Sequence, residues 1–358
     1  MVETMPIRLV DTGRILLLNF AVDLRRFPTS LPEFQKVFPD DAACAKYLES
    51  VRWPSGFTCP SCGHTDKPYR FPSRSSVVLR CRKCRRNASL TASTVMQSTH
   101  TPLSTWFWGA YLVTTQTPGQ SALQFQRQLG LSRYETAFQI LHKLRSGMVR
   151  PERDSIGGEY PVEVDECFVG GRTRGEGGGV HHMATVIGAV EVRVRKDAKQ
   201  GAAKAPAGTV PIKKLVYAGR LRLRVIEDRR GPGLLSFVTE NVATGSIVRT
   251  DGFYPYQELS RDSYQHYPLT IAGDPDKADA HLPMIHLVFS NLKTWILGTH
   301  HGAIAQHHLQ AYLNEYVFRF NRRFYPMTAF NSVLGLAAHT PSPTYEELYS
   351  GTWVHPAS

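Results

Sequence analysis

The sequence predicts a multi-domain α/β protein in which a small metal-binding module and a helical segment precede a mixed β-sheet flanked by helices. Three observations support this prediction. Four cysteines form two closely spaced pairs, the segment after them has helical periodicity, and a strand-rich stretch is followed by two long helical stretches. With 358 residues, the chain is long enough for two or three domains.

The composition indicates a folded, basic protein. Apolar residues make up 42% and charged residues 20% of the chain, which excludes wholesale disorder. Lys and Arg number 42 against 30 Asp and Glu, and this net charge of +12 makes a polyanion the first partner to consider. No apolar run is long enough to span a membrane, and the N-terminus lacks a signal-peptide pattern. We therefore expect a cytoplasmic protein.

The first element of this organisation is a helical lead-in at residues 1–52. Asp40 and Asp41 are typical of a helix start, and the apolar residues Ala43, Tyr47 and Leu48 follow at helical spacing. We expect this short helix to pack onto the module that follows it.

The second element is a zinc ribbon at residues 53–95, indicated by the pattern C-x2-C-x18-C-x2-C. Two such pairs offer four thiolates in the tetrahedral arrangement of a structural zinc site. Four sulfur ligands leave no open position, so this zinc would stabilise the module without taking part in catalysis. The alternative is four unrelated core cysteines. The predicted ligands are Cys59, Cys62, Cys81 and Cys84.

Many cations surround the cysteine pairs, and their density predicts contact with phosphate. The alternative is a basic face that is merely solvated. The candidates for phosphate contact are Arg82, Lys83 and Arg85.

The third element, residues 101–150, has the pattern of a helix-turn-helix. An amphipathic helix over residues 121–129 is followed by a glycine-containing turn and a second helix over residues 133–145. Arg133, Lys143 and Arg145 would face DNA from the second helix. A hairpin that only packs has the same pattern, so both interpretations stay open.

Two aspartates then occupy unusual positions in the strand-rich part. Asp165 lies within an apolar strand over residues 162–169, and Asp251 directly follows a second apolar strand. Aspartates are rarely buried unless they are paired or bind a metal. On adjacent strands the two could hold divalent ions, which stabilise the attacking and leaving oxygens of phosphoryl transfer. The alternative is that each aspartate is a turn or capping residue.

These motifs, in this order and followed by HLVFSNLKTWILGTHHG and LQAYLNEYVFRFNRR, resemble bacterial insertion-sequence transposases. The similar group has an N-terminal zinc ribbon and an RNase H-like DDE domain (the ISXO2-like group), and the resemblance covers roughly residues 31–330. It implies a five-stranded RNase H-like domain over residues 156–330 and a C-terminal tail over residues 331–358.

The resemblance also implies an activity. Water would cleave the ends of the element, and the liberated 3′-hydroxyl would join target DNA, with Mg²⁺ or Mn²⁺ as the catalytic ion. The implied partners are terminal inverted repeats, target DNA and further copies of this chain, at the bacterial nucleoid. The alternatives are a zinc-ribbon DNA-binding regulator without catalysis, a nuclease that cuts without joining, and an inactive remnant.

Carried over by position, the resemblance makes Asp165 and Asp251 the first two catalytic residues. The third catalytic residue of the family is usually a glutamate that lies seven residues before a helical lysine. In this sequence that lysine is Lys293, so the third position is occupied by a histidine, His286. An imidazole ligand suits Mn²⁺ better than Mg²⁺. We expect His286 to complete the site. The alternative ligands are Asn291, Asp276 and Asp279.

The same comparison implies further DNA contacts near the C-terminal end of the resemblance. Lys293 would bind phosphate close to the scissile bond, and Arg322 and Arg323 belong to a basic cluster at the end of a helix. For the arginines, the alternative is a solvated helix end that is stabilised by the helix dipole.

Overall fold

The computed structural model describes residues 28–72, 77–150, 153–170, 183–195, 216–227, 229–259, 263–269, 280–301 and 304–354. Two of the alternative ligands, Asp276 and Asp279, lie outside these residues. The described part begins with helices α1 (Leu31–Val37) and α2 (Asp41–Arg52). The side chain of Asp40 accepts a hydrogen bond from the Ala43 N–H, which confirms the predicted helix start.

A small antiparallel sheet follows, with strand order β1–β2–β3. Its strands are β1 (Tyr69–Pro72), β2 (Val77–Arg80) and β3 (Asn87–Ser89). Three helices come next: α3 (Leu103–Thr115), α4 (Ala122–Gln128) and α5 (Tyr134–Ser146). Both helices predicted around the glycine-containing turn are therefore present, as α4 and α5.

A five-stranded mixed sheet forms the centre of the second half, in the order β6–β5–β4–β7–β8. Its strands are β4 (Val162–Val169), β5 (Ala184–Val194), β6 (Val216–Ile226), β7 (Ile247–Thr250) and β8 (Gln265–Pro268). The β4–β5 and β5–β6 pairs are antiparallel, whereas β4–β7 and β7–β8 are parallel. The expected mixed sheet is thus present in the described residues.

Helices cover both faces of this sheet, because each face carries its own apolar core. Helix α6 (Pro232–Asn241) packs on one face. Helices α7 (Pro283–His300) and α8 (Leu309–Phe320) pack on the other. None of the helices in the described ranges is long and apolar enough to cross a membrane.

The outer edge of β6 is covered by side chains of the α8 region. Gln310 accepts a hydrogen bond from the Val225 N–H at 2.9 Å, and the amide of Asn321 pairs with both backbone groups of Leu221. Because an open strand edge invites pairing with another chain, these contacts close that edge of the sheet.

The chain ends in helices α9 (Pro326–Ala337) and α10 (Tyr345–Ser350). Helix α9 contributes Phe330, Val333 and Leu334 to a core that also contains α1, α2, α3, α5 and the zinc-ribbon residues. The expected boundary between residues 330 and 331 therefore falls inside α9. Residues 331–337 belong to the N-terminal core, so this part of the expected tail is a packed helix.

Candidate functional site

The four predicted zinc ligands converge. The Sγ atoms of Cys59 and Cys84 are 3.6 Å apart, and those of Cys62 and Cys81 are 3.7 Å apart. All four sulfurs lie within 4.8 Å of one another. A tetrahedral zinc site with Zn–S bonds of about 2.3 Å requires sulfurs separated by about 3.8 Å. The donor set therefore fits a structural zinc ion in both chemistry and spacing.

Both cysteine pairs lie in the same kind of turn. The N–H of Gly63 donates to the Cys59 carbonyl at 2.9 Å, and the N–H of Arg85 donates to the Cys81 carbonyl at 3.1 Å. Gly63 and Arg85 both have a positive φ, of 68° and 60°. A left-handed backbone conformation is unfavourable for arginine. Arg85 adopts it because the turn around the cysteines requires that conformation at this position.

A second group of ligands lies where β7 ends beside the middle of β4. In the parallel pair β4–β7, Glu163 lies opposite Arg249, and the same register brings Asp251 beside Asp165 two residues later. Carboxylate oxygens of Asp165, Glu166 and Asp251 lie within 4.8 Å of one another. The sheet therefore brings the two predicted aspartates together and adds a glutamate.

The electrostatics of this carboxylate group favour a cation. Partial burial raises the pKa of Asp251, and the nearby charge of Asp165 raises it further. Burial also raises the pKa of Glu166, although hydrogen bonds from Tyr256 and Arg229 oppose the change. Clustered, partly desolvated oxygens are the donor set of a hard divalent cation, so the residues fit such an ion.

Helix α7 brings His286 to the same place. Its Nε2 lies 3.2 Å from Oδ2 of Asp165. The helix is anchored by Glu163, whose Oε2 accepts hydrogen bonds from the Met284 and Ile285 N–H groups at 2.7 and 2.9 Å. Because Glu163 and Asp165 point to the same side of β4, the anchored turn sets His286 against Asp165.

The remaining candidates on α7 differ in position. Asn291 is exposed and lies five residues after His286, about 140° around the helix, so it occupies a different face. Lys293 lies seven residues after His286, on the same face and exposed. Of these two, Lys293 alone shares the side of the helix on which His286 meets the carboxylates.

Sequence reasoning missed two glutamates of this region. Glu163 anchors α7, and Glu166 is held by the hydroxyl of Tyr256 at 2.7 Å and the guanidinium of Arg229. The alternation of strand β4 offered a partial signal, because it puts Glu163 on the side of Asp165 and Glu166 on the opposite one. Their partners lie too far along the chain to be identified from the sequence.

The predicted DNA-facing cations differ in exposure. Besides Lys293, the exposed ones are Arg82, Lys83 and Arg85 in the zinc ribbon and Arg133 at the start of α5. Arg82 and Arg85 lie over the ring of Tyr69, at 4.8 and 5.4 Å. The partly buried ones are Lys143, Arg322 and Arg323.

The expectation that Arg145 reaches DNA is wrong. Its side chain is 1% exposed, and its Nε donates to Oε2 of the buried Glu315 at 2.7 Å. The guanidinium also lies over the ring of Tyr312. Because the C-terminal half of α5 is packed against α8, this arginine forms a structural ion pair.

A ribbon with four clustered cysteines, a helical segment and a mixed sheet with clustered carboxylates define a protein with two groups of metal-ligating side chains. Residues 39–87 match the family model of the transposase zinc-ribbon domain, and residues 156–321 match that of the ISXO2-like transposase domain. Together the two ranges cover more than half of the chain. The chain therefore belongs to the ISXO2-like (IS1595) family of insertion-sequence transposases, and such a protein binds DNA. No curated protein and no solved structure matches it.

Proposed function

We propose that this transposase cleaves the ends of its element and joins them to target DNA by metal-dependent phosphoryl transfer at Asp165, Asp251 and His286. The observation that carries the proposal is the meeting of the two aspartates on neighbouring parallel strands, Asp165 within β4 and Asp251 directly after β7, with His286 3.2 Å from Asp165. The strand order β6–β5–β4–β7–β8, with an antiparallel half and a parallel half, supports an RNase H-like catalytic domain over residues 156–330.

Asp165 and Asp251 would hold the catalytic ions, and His286 would complete the site. Bound Mg²⁺ or Mn²⁺ supplies stabilisation of the attacking and leaving oxygens in an in-line displacement. The imidazole of His286 favours Mn²⁺ over Mg²⁺. The structure supports His286 over Asn291 because His286 contacts Asp165, whereas Asn291 is exposed on another face of α7.

The other residues of the site would position the carboxylates and bind DNA. Tyr256 and Arg229 hold Glu166 by hydrogen bonds, which keeps its carboxylate fixed beside Asp165. Lys293, exposed on the His286 side of α7, would bind a DNA phosphate next to the carboxylates. The nucleophile is water or a DNA 3′-hydroxyl, so no side chain of this protein needs to form a covalent intermediate.

The N-terminal part would bind the terminal repeats. We assign duplex contact to the ribbon over residues 53–95 and to the helix-turn-helix over residues 101–150, through Arg82, Lys83, Arg85 and Arg133, all exposed. Arg322 and Arg323 would contact DNA near the end of α8. Because two element ends are joined to one target, we also propose that the protein assembles as a homo-oligomer on DNA.

The test is cleavage and joining of labelled element ends with Mg²⁺ or Mn²⁺. Asp165→Asn and Asp251→Asn should each abolish both steps while DNA binding persists. His286→Ala should reduce them strongly, whereas Asn291→Ala should not. Glu240→Gln, which removes an exposed carboxylate on α6, is the matched control and should leave activity unchanged.

Several outcomes would contradict the proposal. If the wild-type protein binds the ends but neither cuts nor joins them, the DNA-binding alternative without catalysis replaces it. Cleavage without joining would indicate a nuclease. Full activity of the His286→Ala variant would remove His286 from the site.

A further inference from the structure

A cleft of about 310 Å³ lies where the N-terminal core meets the helices that cover the large sheet. One wall is formed by residues 114–117 at the end of α3 and the first turns of α9, and the other by α7 and the end of α8. Its volume is at the lower end of the range of small-ligand sites, about 300–1,000 Å³. Such sites are frequent at junctions of this kind.

The cleft has a strong excess of positive charge. Three arginines line it, namely Arg319, Arg322 and Arg323, and no Asp or Glu is among the described residues that do so. The nearest carboxylate in contact with them is that of Glu315, which is 3.3 Å from Arg319. Glu315 also pairs with Arg145 at 2.7 Å, so a single carboxylate serves two guanidinium groups.

The guanidinium groups of Arg322 and Arg323 are held in place by neutral partners. Arg322 lies 3.9 Å from the centre of the Phe318 ring and donates to the Phe318 carbonyl. Arg323 lies 4.0 Å from the centre of the Phe320 ring and donates to the carbonyls of Phe320 and Ala218. Carbonyls and rings orient the arginines without neutralising them. Burial accordingly lowers the pKa of Arg322 to about 10, and the charge of Arg150 adds to this effect.

Aromatic rings form much of the remaining lining. Trp295 and Tyr316 are largely buried in the wall, and Phe320 stacks on Tyr316 with ring centres 5.9 Å apart. Next to the cleft, Phe324 and Tyr325 are 62% and 71% exposed. Arginines alone would suit a phosphate on an open surface. Arginines combined with recessed aromatic rings suit a phosphate that is linked to a flat, apolar group.

We propose that this cleft binds one unpaired nucleotide of the DNA substrate, with its phosphate at the arginines and its base against the aromatic wall. In a duplex the faces of each base are covered by the neighbouring base pairs, so a base that packs against the aromatic wall must belong to a nucleotide that is single-stranded or flipped out of the duplex. The inference rests on the proposed function in that DNA is the ligand. The cleft is separate from the carboxylate site. Trp295 in the cleft lies nine residues after His286, which is about 14 Å along α7 and on the opposite face of that helix.

The experiment measures binding of a short labelled oligothymidylate by fluorescence anisotropy, without added divalent metal. The main variant is Thr117→Glu, which places a carboxylate at the exposed rim of the cleft beside Arg319. Thr117→Gln is the matched control of the same size. We expect Thr117→Glu to bind the single strand roughly tenfold more weakly than Thr117→Gln, because the new carboxylate repels the phosphate and competes with it for Arg319. The loss should be smaller for an element-end duplex, because its stacked bases do not reach the aromatic wall.

Two further measurements test the parts of the proposal. Arg322→Gln, checked by its melting curve, should weaken single-strand binding like Thr117→Glu, and Lys46→Gln on the exposed side of α2 should not. An oligomer with abasic sugars keeps the phosphates, and the wild-type protein should bind it more weakly than oligothymidylate.

Equal single-strand binding by Thr117→Glu and Thr117→Gln would overturn the proposal, as would equal binding of the abasic and thymidine oligomers. Because no catalytic metal is present, absence of cleavage in the activity assay would leave these results unaffected. The failure of one proposal is therefore distinguishable from failure of the other.

Discussion

Glu163 shows how a single buried carboxylate can shape the site without belonging to it. Its side chain crosses from β4 to the first turn of α7 and accepts hydrogen bonds from two N–H groups there. The start of a helix leaves such N–H groups without internal partners, and Glu163 satisfies them from another element. Since His286 is on the next position of that turn, Glu163 is a positioning residue for it.

Replacing Glu163 should therefore cost stability. In Glu163→Ala, the buried N–H groups of Met284 and Ile285 lose their acceptor, at a cost of about 1–3 kcal/mol in the free energy of unfolding. Glu163→Gln keeps an acceptor oxygen and is the control. Urea unfolding measures both, and equal stability of the two variants would contradict this role.

At this scale the sequence predicted some residues and not others. Asp165 and Asp251 were identifiable because a carboxylate in or directly after an apolar strand is visible in the pattern. Glu163 was not, because its role depends on contact with residues more than a hundred positions away. Arg145 was misassigned for the same reason: the sequence shows a cation near the end of a helix, and only the packing shows Glu315 beside it.

At the scale of elements, α5 and α8 are joined by the buried Arg145–Glu315 ion pair. Glu315→Gln should destabilise the protein by about 3–5 kcal/mol, because it leaves the Arg145 charge buried with no carboxylate partner. The double variant Arg145→Met, Glu315→Leu should recover much of that loss. Glu240→Gln, which breaks the exposed pair with Arg224, should change stability by less than about 1 kcal/mol. Chemical unfolding measures these changes, and similar losses of stability in Glu315→Gln and Glu240→Gln would contradict this role of the buried ion pair.

Three histidines close to the contact between α5 and α8 make the stability of the protein sensitive to acid. Burial, together with the charge of Arg145, lowers the pKa of His142 well below its usual value and the pKa values of His300 and His308 to about 4. In the unfolded chain they titrate near pH 6.5, so between pH 6.5 and 4 the unfolded state binds more protons than the folded state. Stability present above pH 6.5 should therefore be lost as the pH falls.

The measurement is the free energy of unfolding in urea at several pH values from 7.5 to 4.5. The three histidines alone would give a slope of three protons, or about 4 kcal/mol per pH unit, and solvent access to the less buried His308 reduces it. Glu163 opposes it, because its pKa is raised to about 7 and the folded state binds a proton there in the same pH range. His142→Phe should lower the slope by about one proton. An unchanged slope in this variant would show that other groups cause the acid sensitivity.

The bounds of the helices and strands agree with the predicted bounds where the apolar periodicity of the sequence is strong. Strand β4 has the predicted bounds, and α4 and α5 end within a residue of the predicted helices. Strand β6 begins as early as Val216, because pairing with β5 continues through a stretch without strict alternation. Helix α9 was not predicted, since its partners are the distant residues of α1 and α3.

At the scale of the whole molecule, the zinc ribbon is part of a larger core. Cys59, Cys81 and Leu79 belong to the same apolar cluster as Phe34, Phe107 and Phe330. Loss of zinc should therefore loosen the helices around the ribbon as well as the ribbon itself. The large sheet, with its separate cores, should be affected much less.

Cys59→Ser tests this expectation, with Cys44→Ala as a control that removes a buried cysteine outside the zinc group. We expect Cys59→Ser to lose bound zinc and to lose hydrogen-exchange protection in α2, α3 and the ribbon, while β4 and β5 stay protected. Cys44→Ala should retain zinc. Uniform loss of protection across the large sheet would contradict the division into separate cores.

The packing of α9 into the N-terminal core also bears on how the protein is made and how its gene decays. During synthesis, the helices around the ribbon lack Phe330, Val333 and Leu334 until nearly all of the chain has been translated. A copy of the gene that is cut short by a stop codon before α9 would encode a product with an incomplete N-terminal core. We expect such truncated copies to leave no stable DNA-binding fragment in the cell, and hence no competitor for the ends of intact elements.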